Sequence, residues 1–419
     1  MTDQYDVVIV GAGPAGMAAA VAASKSGRRV CILDDNPTAG GQIWRGFDAA
    51  STNTYPGAAV LSPLSRQFHK TLAASHFGSR VVDHPAPRVL RIESEHGCSD
   101  LSFEHLIVAT GARERFLPFP GWTLPGVMGA GGLQAIVKSG LSIAGKRVVV
   151  AGSGPLLPAV AAGLAKHGAQ IVGIFEQAPL HRLVRFGMTL VARPGKLREG
   201  LRYRSATLYA PYCAGSWVTR AHGSDRLQSV TVKIRGVDRE LECDYLACGF
   251  HLVPNLELPR LLGCAIENGY VRVDANQQSS VDRIFCVGEL TGIGGLEKAL
   301  CEGEIAGLAC SAESASHLFA RRNRLTRFAR RLDAAFALRP ELAQLAGGDT
   351  FVCRCEDVPR RALDACRDWR EAKLYTRCGM GPCQGRICGP ATEILFGWKH
   401  DSVRPPLTPT RVDTIRRDL

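Results

Sequence analysis

Residues 5–10 (YDVVIV) form an almost unbroken apolar run, the length of one strand buried on both faces. The run stops at GAGPAG, and the MAAAVAASKSG that follows is filled with small residues. That composition predicts a helix packed tightly on a sheet, stopped near Gly27. RRVCILDD then reads as a second strand ending in acid, which completes a β-α-β unit. The pattern recurs from Lys146, where RVVVAGSGP leads into the helix-like LLPAVAAGLAKHGAQ and the strand IVGIFEQ. Between the two units lies a less regular region holding GGQIWR (40–45), strand-like HLIVATGA (105–112) and turn-rich FLPFPGW. SVTVKIRG and LECDYLACGF predict further sheet down to Val253. RIFCVGE (283–289) predicts a buried strand, and TGIGG and the helix-like LEKALCEGEIAGLACSA follow it.

Composition narrows the class without naming it. At 419 residues the chain is long for one core and predicts two or three domains. It is 46% apolar and 21% charged, which excludes a mainly disordered chain. No apolar stretch approaches the ~20 residues of a membrane span. Asp3 and Asp6 stand where a signal peptide carries positive charge, so a cytoplasmic protein is expected, or one peripheral at the inner face of the membrane. The +12 net charge is diffuse, and its one run (Arg321, Arg322, Arg324, Arg327, Arg330, Arg331) reads as a solvated helix face. No groove-reading or aromatic element accompanies it, and a nucleic-acid partner is not expected.

The first glycine motif carries specific chemistry. Gly11 permits the tight turn, Gly13 lets a pyrophosphate approach the backbone, and Gly16 lets helix and strand pack closely. The N–H groups opening the helix, from Ala15 onward past Pro14, face where a phosphate would lie. Asp34, or its neighbour Asp35, ends the second strand at the distance expected for a ribose ligand. The second motif is weaker: Gly152 and Gly154 match, but Leu157 stands where a small residue is expected and should push the helix away from the strand and crowd a pyrophosphate. Glu176 ends the following strand with no basic residue immediately beside it, which disfavours a 2′-phosphate. A retained fold without a working nicotinamide site is the expectation.

Six of the fifteen cysteines crowd into the C-terminal stretch: Cys353, Cys355, Cys366, Cys378, Cys383 and Cys388. In a chain this long they suggest a metal or iron–sulfur site rather than a disulfide scaffold. Spacing alone does not choose iron from zinc. Cys366 falls in an apparent helix (RALDACRDW) and is assigned to packing, as are Cys243 and Cys248. His251, alone in a turn, is read as structural.

Several motifs carry a family resemblance. ATG (109–111) resembles the turn closing the dinucleotide domain of two-dinucleotide flavoproteins, and Gly288-Glu289 resembles their Gly-Asp near the ribityl chain. CRCEDV followed by TRCGMGPCQGRICGP resembles the bacterioferritin-associated-ferredoxin-like [2Fe–2S] domain. Together with GGQIWR, AGSGPLL and GELTGIGG, the order resembles the α subunit of hetero-oligomeric dye-linked amine dehydrogenases over nearly the full chain. That group includes opine oxidases, D-hydroxyproline and proline dehydrogenases, and the middle subunit of hydrogen cyanide synthase.

The resemblance implies an α/β fold with two Rossmann-like dinucleotide-binding domains of the two-dinucleotide flavoprotein type and a small C-terminal helical iron–sulfur domain. The expected limits are 1–112 with 255–318 for the FAD-type domain and 113–254 for the inserted NAD(P)-like domain. A helical connector (319–348), a [2Fe–2S] domain (349–400) and a tail (401–419) complete the chain. By resemblance the metal ligands are Cys353, Cys355, Cys383 and Cys388, with Cys378 the one competitor. The nucleotide contacts are Gly11, Gly13, Pro14, Ala15, Gly16, Asp34, Asp35, Gly41, Gln42, Thr110, Gly111, Gly288 and Glu289.

The resemblance implies FAD, or another adenine nucleotide, at the Gly11 site, FMN at a subunit interface, and a [2Fe–2S] cluster. The implied partners are an FAD-containing β subunit of glycine-oxidase-like fold, a small third subunit, and a quinone or other electron acceptor. The chain would then be an electron-transfer subunit with no acid–base pair of its own, its partner oxidising an amino or imino acid. Two alternatives remain open: a self-contained NAD(P)H-dependent flavin reductase, and a non-catalytic scaffold with a structural nucleotide and zinc.

Overall fold

A computed structural model describes residues 3–45, 58–71, 74–400 and 402–416. The chain divides into two compact units, one of Met1–Arg113, Pro254–Arg330 and Asp401–Leu419, the other of Glu114–Val253 and Arg331–His400.

The first unit is built on a sheet whose parallel core runs Ala74–Phe77, Val30–Asp34, Asp3–Val10, Gly97–Val108, with Ile284–Cys286 also paired to the last of these. Val89–Ser94 and Arg80–Ala86 extend it antiparallel. Both faces of the first strand are covered, which is why its sequence does not alternate. Val7 and Ile9 enter one core with Met17, Ala19 and Phe285, while Val8 and Val10 enter another with Leu33, Leu106 and Leu256. The helix Pro14–Ser24 lies against Leu296–Cys310 at very close range. Glycine is required at that contact: a Cβ at Gly303 would stand 2.1 Å from the Ala15 carbonyl oxygen, and one at Gly307 2.4 Å from that of Ala19.

The second unit repeats the arrangement with a five-stranded parallel sheet, in the order Tyr212–Ala214, Gln170–Glu176, Arg147–Ser153, Tyr245–Phe250, Val127–Gly129. A three-stranded antiparallel sheet (Trp217–His222, Ser229–Ile234, Val237–Glu242) accompanies it. Leu157 is fully buried beside Leu133, Val148 and Val150 and fills core space that a glycine would leave empty.

The cysteine-rich segment belongs to this unit and has a small core of its own, made of Val352, Val358, Leu363, Ala372 and Trp398 with three buried cysteines. Trp122 Nε1 donates to the Phe351 carbonyl at 2.6 Å, tying the segment to the second domain. The helix anticipated across RALDACRDW does not form. Arg360–Ala362 is a short 3-10 turn, Cys366 lies in irregular chain, and the helix starts at Trp369. Asp368 sets that start, because its carboxylate accepts the Glu371 amide at the N-cap. The basic run does lie on one long helix, Ser316–Ala335, which buries Leu318, Leu325 and Ala329 and turns five of its six arginines to solvent.

Candidate functional site

In the first unit, three loops converge on the start of the helix Pro14–Ser24. Gly11 has φ +106°, and a Cβ there would stand 2.3 Å from the Ala109 carbonyl oxygen, so the glycine loop and the ATG turn touch through backbone alone. A Cβ at Gly16 would stand 1.8 Å from the Gly11 carbonyl oxygen. The 40–45 loop folds back onto the same place: the Gly40 amide donates to the Ala12 carbonyl at 2.8 Å, and a Cβ at Gly41 would sit 2.9 Å from the Gly13 Cα. Trp44 anchors this loop from within the core, while Gln42 is exposed. Gly288 (φ +76°) closes the group beside Ala15.

Gly13 caps the helix without any side-chain bond, so the first amides keep their donors for an anion. Asp34 is buried at the end of its strand. It accepts from the Ala12 amide at 2.6 Å and from the Asn36 amide and side chain at 2.8 and 2.7 Å. Three of its roughly four acceptor positions are thus in use, and the neighbouring Asp35 carboxyl bonds to it as well. Burial, the Asp34 charge and a hydrogen bond to Asp34 raise the Asp35 carboxyl above its ordinary range. Thr110 and Gly111 are held by Asn255: its side-chain amide donates to the Thr110 carbonyl at 2.7 Å and its backbone amide to that of Gly111 at 3.0 Å. These residues fit a dinucleotide, with bare helix amides, a cradle that a Cβ would fill, and an acid at the strand end.

Glu289 is turned into its own loop, where it accepts from the Gly294 and Gly295 amides at 2.9 and 3.0 Å. Beneath it lies a pair that the sequence reading missed. Lys298 and Glu302 are both buried and 2.8 Å apart, one helical turn from each other. Lys298 Nζ also donates to the Gly288 carbonyl and to Thr291 Oγ1, and Glu302 accepts from the Gly288 amide and the Thr291 hydroxyl. Every bond of this pair fixes the Gly288–Thr291 turn beside Ala15.

The second glycine loop is organised differently. Glu176 is fully buried and accepts from the Gly154 and Ala178 amides, both at 2.8 Å. Burial pushes its carboxyl up to about 7. The chain itself lies over the loop. Ser153 Oγ donates to the Phe336 carbonyl at 2.9 Å. Gln177 Nε2 reaches the carbonyls of Phe336 and Ala337, both at 3.3 Å, and Gln177 Oε1 accepts the Arg339 amide at 3.1 Å. The Arg339 guanidinium stacks 4.5 Å from the Trp217 ring centre, and His251 Nε2 stands 3.2 Å from Asp333 Oδ1. Residues 333–339 therefore cover the strand ends where an adenosine would lie in a Rossmann half. Glu114, also missed from sequence, accepts the Gly131 and Gly132 amides and fills the N-terminus of the helix Ala130–Lys138.

Near the C-terminus, the thiols of Cys353, Cys378 and Cys388 are buried and all lie within 4.8 Å of one another. The Cys355 thiol is hydrogen-bonded to that of Cys383 at a more exposed position. Cys353 is lowered to about 2 because the thiols of Cys378 and Cys388 both bond to it. Three sulfurs thus gather, two of the expected ligands with their competitor Cys378, while the other two expected ligands, Cys355 and Cys383, pair with each other; a soft-metal centre fits the three-thiol group. The packing is close: a Cβ at Gly379 would stand 2.4 Å from the Trp369 ring and one at Gly381 2.4 Å from the Cys355 Cβ. Arg377 is engaged by Glu356 at 2.7 Å. Cys243 and Cys248 are core residues, and burial pushes the Cys243 thiol up to about 12.

Comparison with known proteins places this architecture. A family profile described as pyridine nucleotide-disulphide oxidoreductase matches residues 5–315. The HcnB subunit of hydrogen cyanide synthase from Pseudomonas aeruginosa is 35% identical, over 91% of this chain and 90% of that protein. The A subunit of opine oxidase from Rhizobium meliloti (strain 1021) is 31% identical over 97% of each. L-proline dehydrogenase from P. horikoshii shares the fold, with a TM-score of 0.70 and 18% identity over 99% of this chain and 80% of that one. Thioredoxin reductase from T. acidophilum matches 74% of this chain and 98% of its own, at a TM-score of 0.55 and 21% identity. The chain belongs to the pyridine nucleotide-disulphide oxidoreductase family, in the company of HcnB and the opine oxidase A subunit.

Proposed function

We propose that this oxidoreductase is the electron-transfer subunit of a hetero-oligomeric dehydrogenase acting on an amino or imino acid of the D-hydroxyproline, opine, proline or glycine type. A partner subunit with a glycine-oxidase-like fold and its own FAD oxidises the C–N bond in this reading, and FMN lies where the subunits meet. The Gly11 loop binds FAD or another adenine nucleotide through the helix amides and Asp34. Cys353, Cys355, Cys383 and Cys388 hold a [2Fe–2S] cluster, which supplies one-electron redox chemistry when bound and discharges to a quinone-like acceptor.

The observation that carries this reading is a group of three buried thiols, with a Cys355–Cys383 pair in the same small segment, in a chain that also builds a dinucleotide loop. The covered second glycine loop supports it too, because a self-contained NAD(P)H reductase needs the surface that residues 333–339 occupy. A second reading has its own support. Four sulfurs around one tetrahedral ion sit roughly 3.8 Å apart, and the compact Cys353–Cys378–Cys388 group suits a single metal such as zinc.

Metal analysis and visible spectroscopy of the co-expressed complex separate the two. The first reading expects two irons per chain, with iron lost in Cys383→Ser and Cys388→Ser and kept in Cys366→Ser. A complex with zinc and no iron, without iron–sulfur absorption beyond its flavin bands, whose zinc is lost in Cys378→Ser with Cys383→Ser unaffected, would establish the second. Full iron and dye reduction in both Cys383→Ser and Cys388→Ser would overturn the first.

A further inference from the structure

The helices Leu180–Leu190 and Pro194–Ser205 of the second unit present apolar side chains to solvent in a regular row. Leu180, Val184 and Met188 follow at four-residue intervals along one face and are 66%, 54% and 64% exposed, and Val191 continues the row at 73%. Leu197 and Leu201 repeat the spacing on the next helix, which buries none of its residues. Single exposed leucines are ordinary; a row of six on adjacent helices is a surface built to meet something apolar.

The charges around the row identify the partner. Residues 180–205 hold seven arginines and lysines and one acid, Glu199, which is paired to Lys196 at 3.2 Å. Arg185, Arg198 and Arg202 are exposed between the apolar positions. Aliphatic residues on one side and long cationic stems beside them are the makeup of helices that lie in a lipid interface, the stems bending outward to the phosphates. Among the described residues no helix is long and apolar enough to cross a membrane, so contact at the surface is the geometry available to this pair. An acidic protein would meet the charges, but the six residues of the row are all aliphatic or thioether, and the exposed Tyr209 beyond the second helix is an aromatic that suits a lipid headgroup layer as well as a protein interface.

We propose that this helix pair seats the protein on an anionic phospholipid surface, with Val184, Met188 and Val191 entering the headgroup layer. The proposal does not rest on the electron-transfer reading, and its test reads vesicle binding rather than turnover. The co-expressed complex is floated with phosphatidylcholine vesicles that contain or lack phosphatidylglycerol. Binding to the phosphatidylglycerol vesicles is expected, falling with added salt. The double variant Val184→Glu, Met188→Glu should bind roughly tenfold less or weaker still, since two apolar side chains leave the interface. Arg185→Gln with Arg198→Gln should lose binding without altering unfolding temperature or nucleotide content. No flotation of the wild-type complex, or equal flotation of the glutamate variant, overturns the proposal. Dissociation of another subunit by the glutamate variant would show a protein occupant and overturn it equally.

Discussion

Replacing Lys298 with methionine tests how the Gly288–Thr291 turn is held. The substitution keeps an unbranched stem in a position that is 1% exposed and removes only the ammonium. Glu302 then keeps two donors, the Gly288 amide and the Thr291 hydroxyl, and loses the one positive charge bonded to it. Breaking a buried pair from one side costs about 3–5 kcal/mol, because the remaining charge is neither solvated nor paired. In a unit of about 200 residues each kcal/mol lowers the unfolding temperature by about 2–4 °C, so Lys298→Met should lower it by about 6–20 °C. Adenine nucleotide content should fall with it, since Gly288 packs against Ala15 at the glycine loop. The double variant Lys298→Met, Glu302→Leu should recover most of the loss. Differential scanning calorimetry of the three proteins decides the matter. A drop smaller than about 1 kcal/mol, the value of an exposed pair, would refute the reasoning, and so would a double variant no better than the single.

Three further outcomes are expected. NADH titrated into the complex should give no saturable binding at millimolar concentration, and Gln177→Ala, which removes one of two donors from each of the Phe336 and Ala337 carbonyls and the acceptor of the Arg339 amide, should speed proteolysis near residue 336; rapid flavin bleaching by NADH in the wild type would contradict this. The folded protein holds the Glu176 proton up to about pH 7, whereas the unfolded chain releases it near 4.5, so its contribution to stability is full below the lower value and is lost as pH rises through the higher. Urea unfolding across that window should therefore show a smaller loss of stability with rising pH in Glu176→Gln than in wild type, and parallel curves would show that the carboxyl is not buried as described. Gly303→Ala should destabilise by roughly 1–3 kcal/mol and reduce bound nucleotide, because its methyl meets the Ala15 carbonyl; calorimetry and nucleotide extraction would show an unchanged protein if the helices can separate freely.

The first β-α-β unit was legible because its signals are local. An apolar run, glycines spaced for a turn and an acid at the strand end act within 30 residues of one another, and backbone sterics dictate what they form. The weak second fingerprint was legible for the same reason at Leu157, although the structure shows that side chain filling the core. The cysteine stretch announced a metal centre through composition, but spacing could not say that Cys378 would join Cys353 and Cys388 within 4.8 Å, leaving Cys355 beside Cys383. The helix assigned around Cys366 failed where Asp368 caps the chain two residues later, a competition between local hydrogen bonds that periodicity does not report.

What tertiary structure alone decided has one cause: contacts between residues far apart along the chain. Ser153 and Gln177 carry no signal of the segment they bind some 160 to 180 positions later. Lys298 and Glu302 look like an ordinary surface pair until burial removes the water around them. Leu180, Val184 and Met188 have the four-residue spacing that a core-facing helix stripe also has. Only the folded chain shows that the described residues leave this row exposed, since an apolar pattern requires a neighbour but does not say whether this chain provides it.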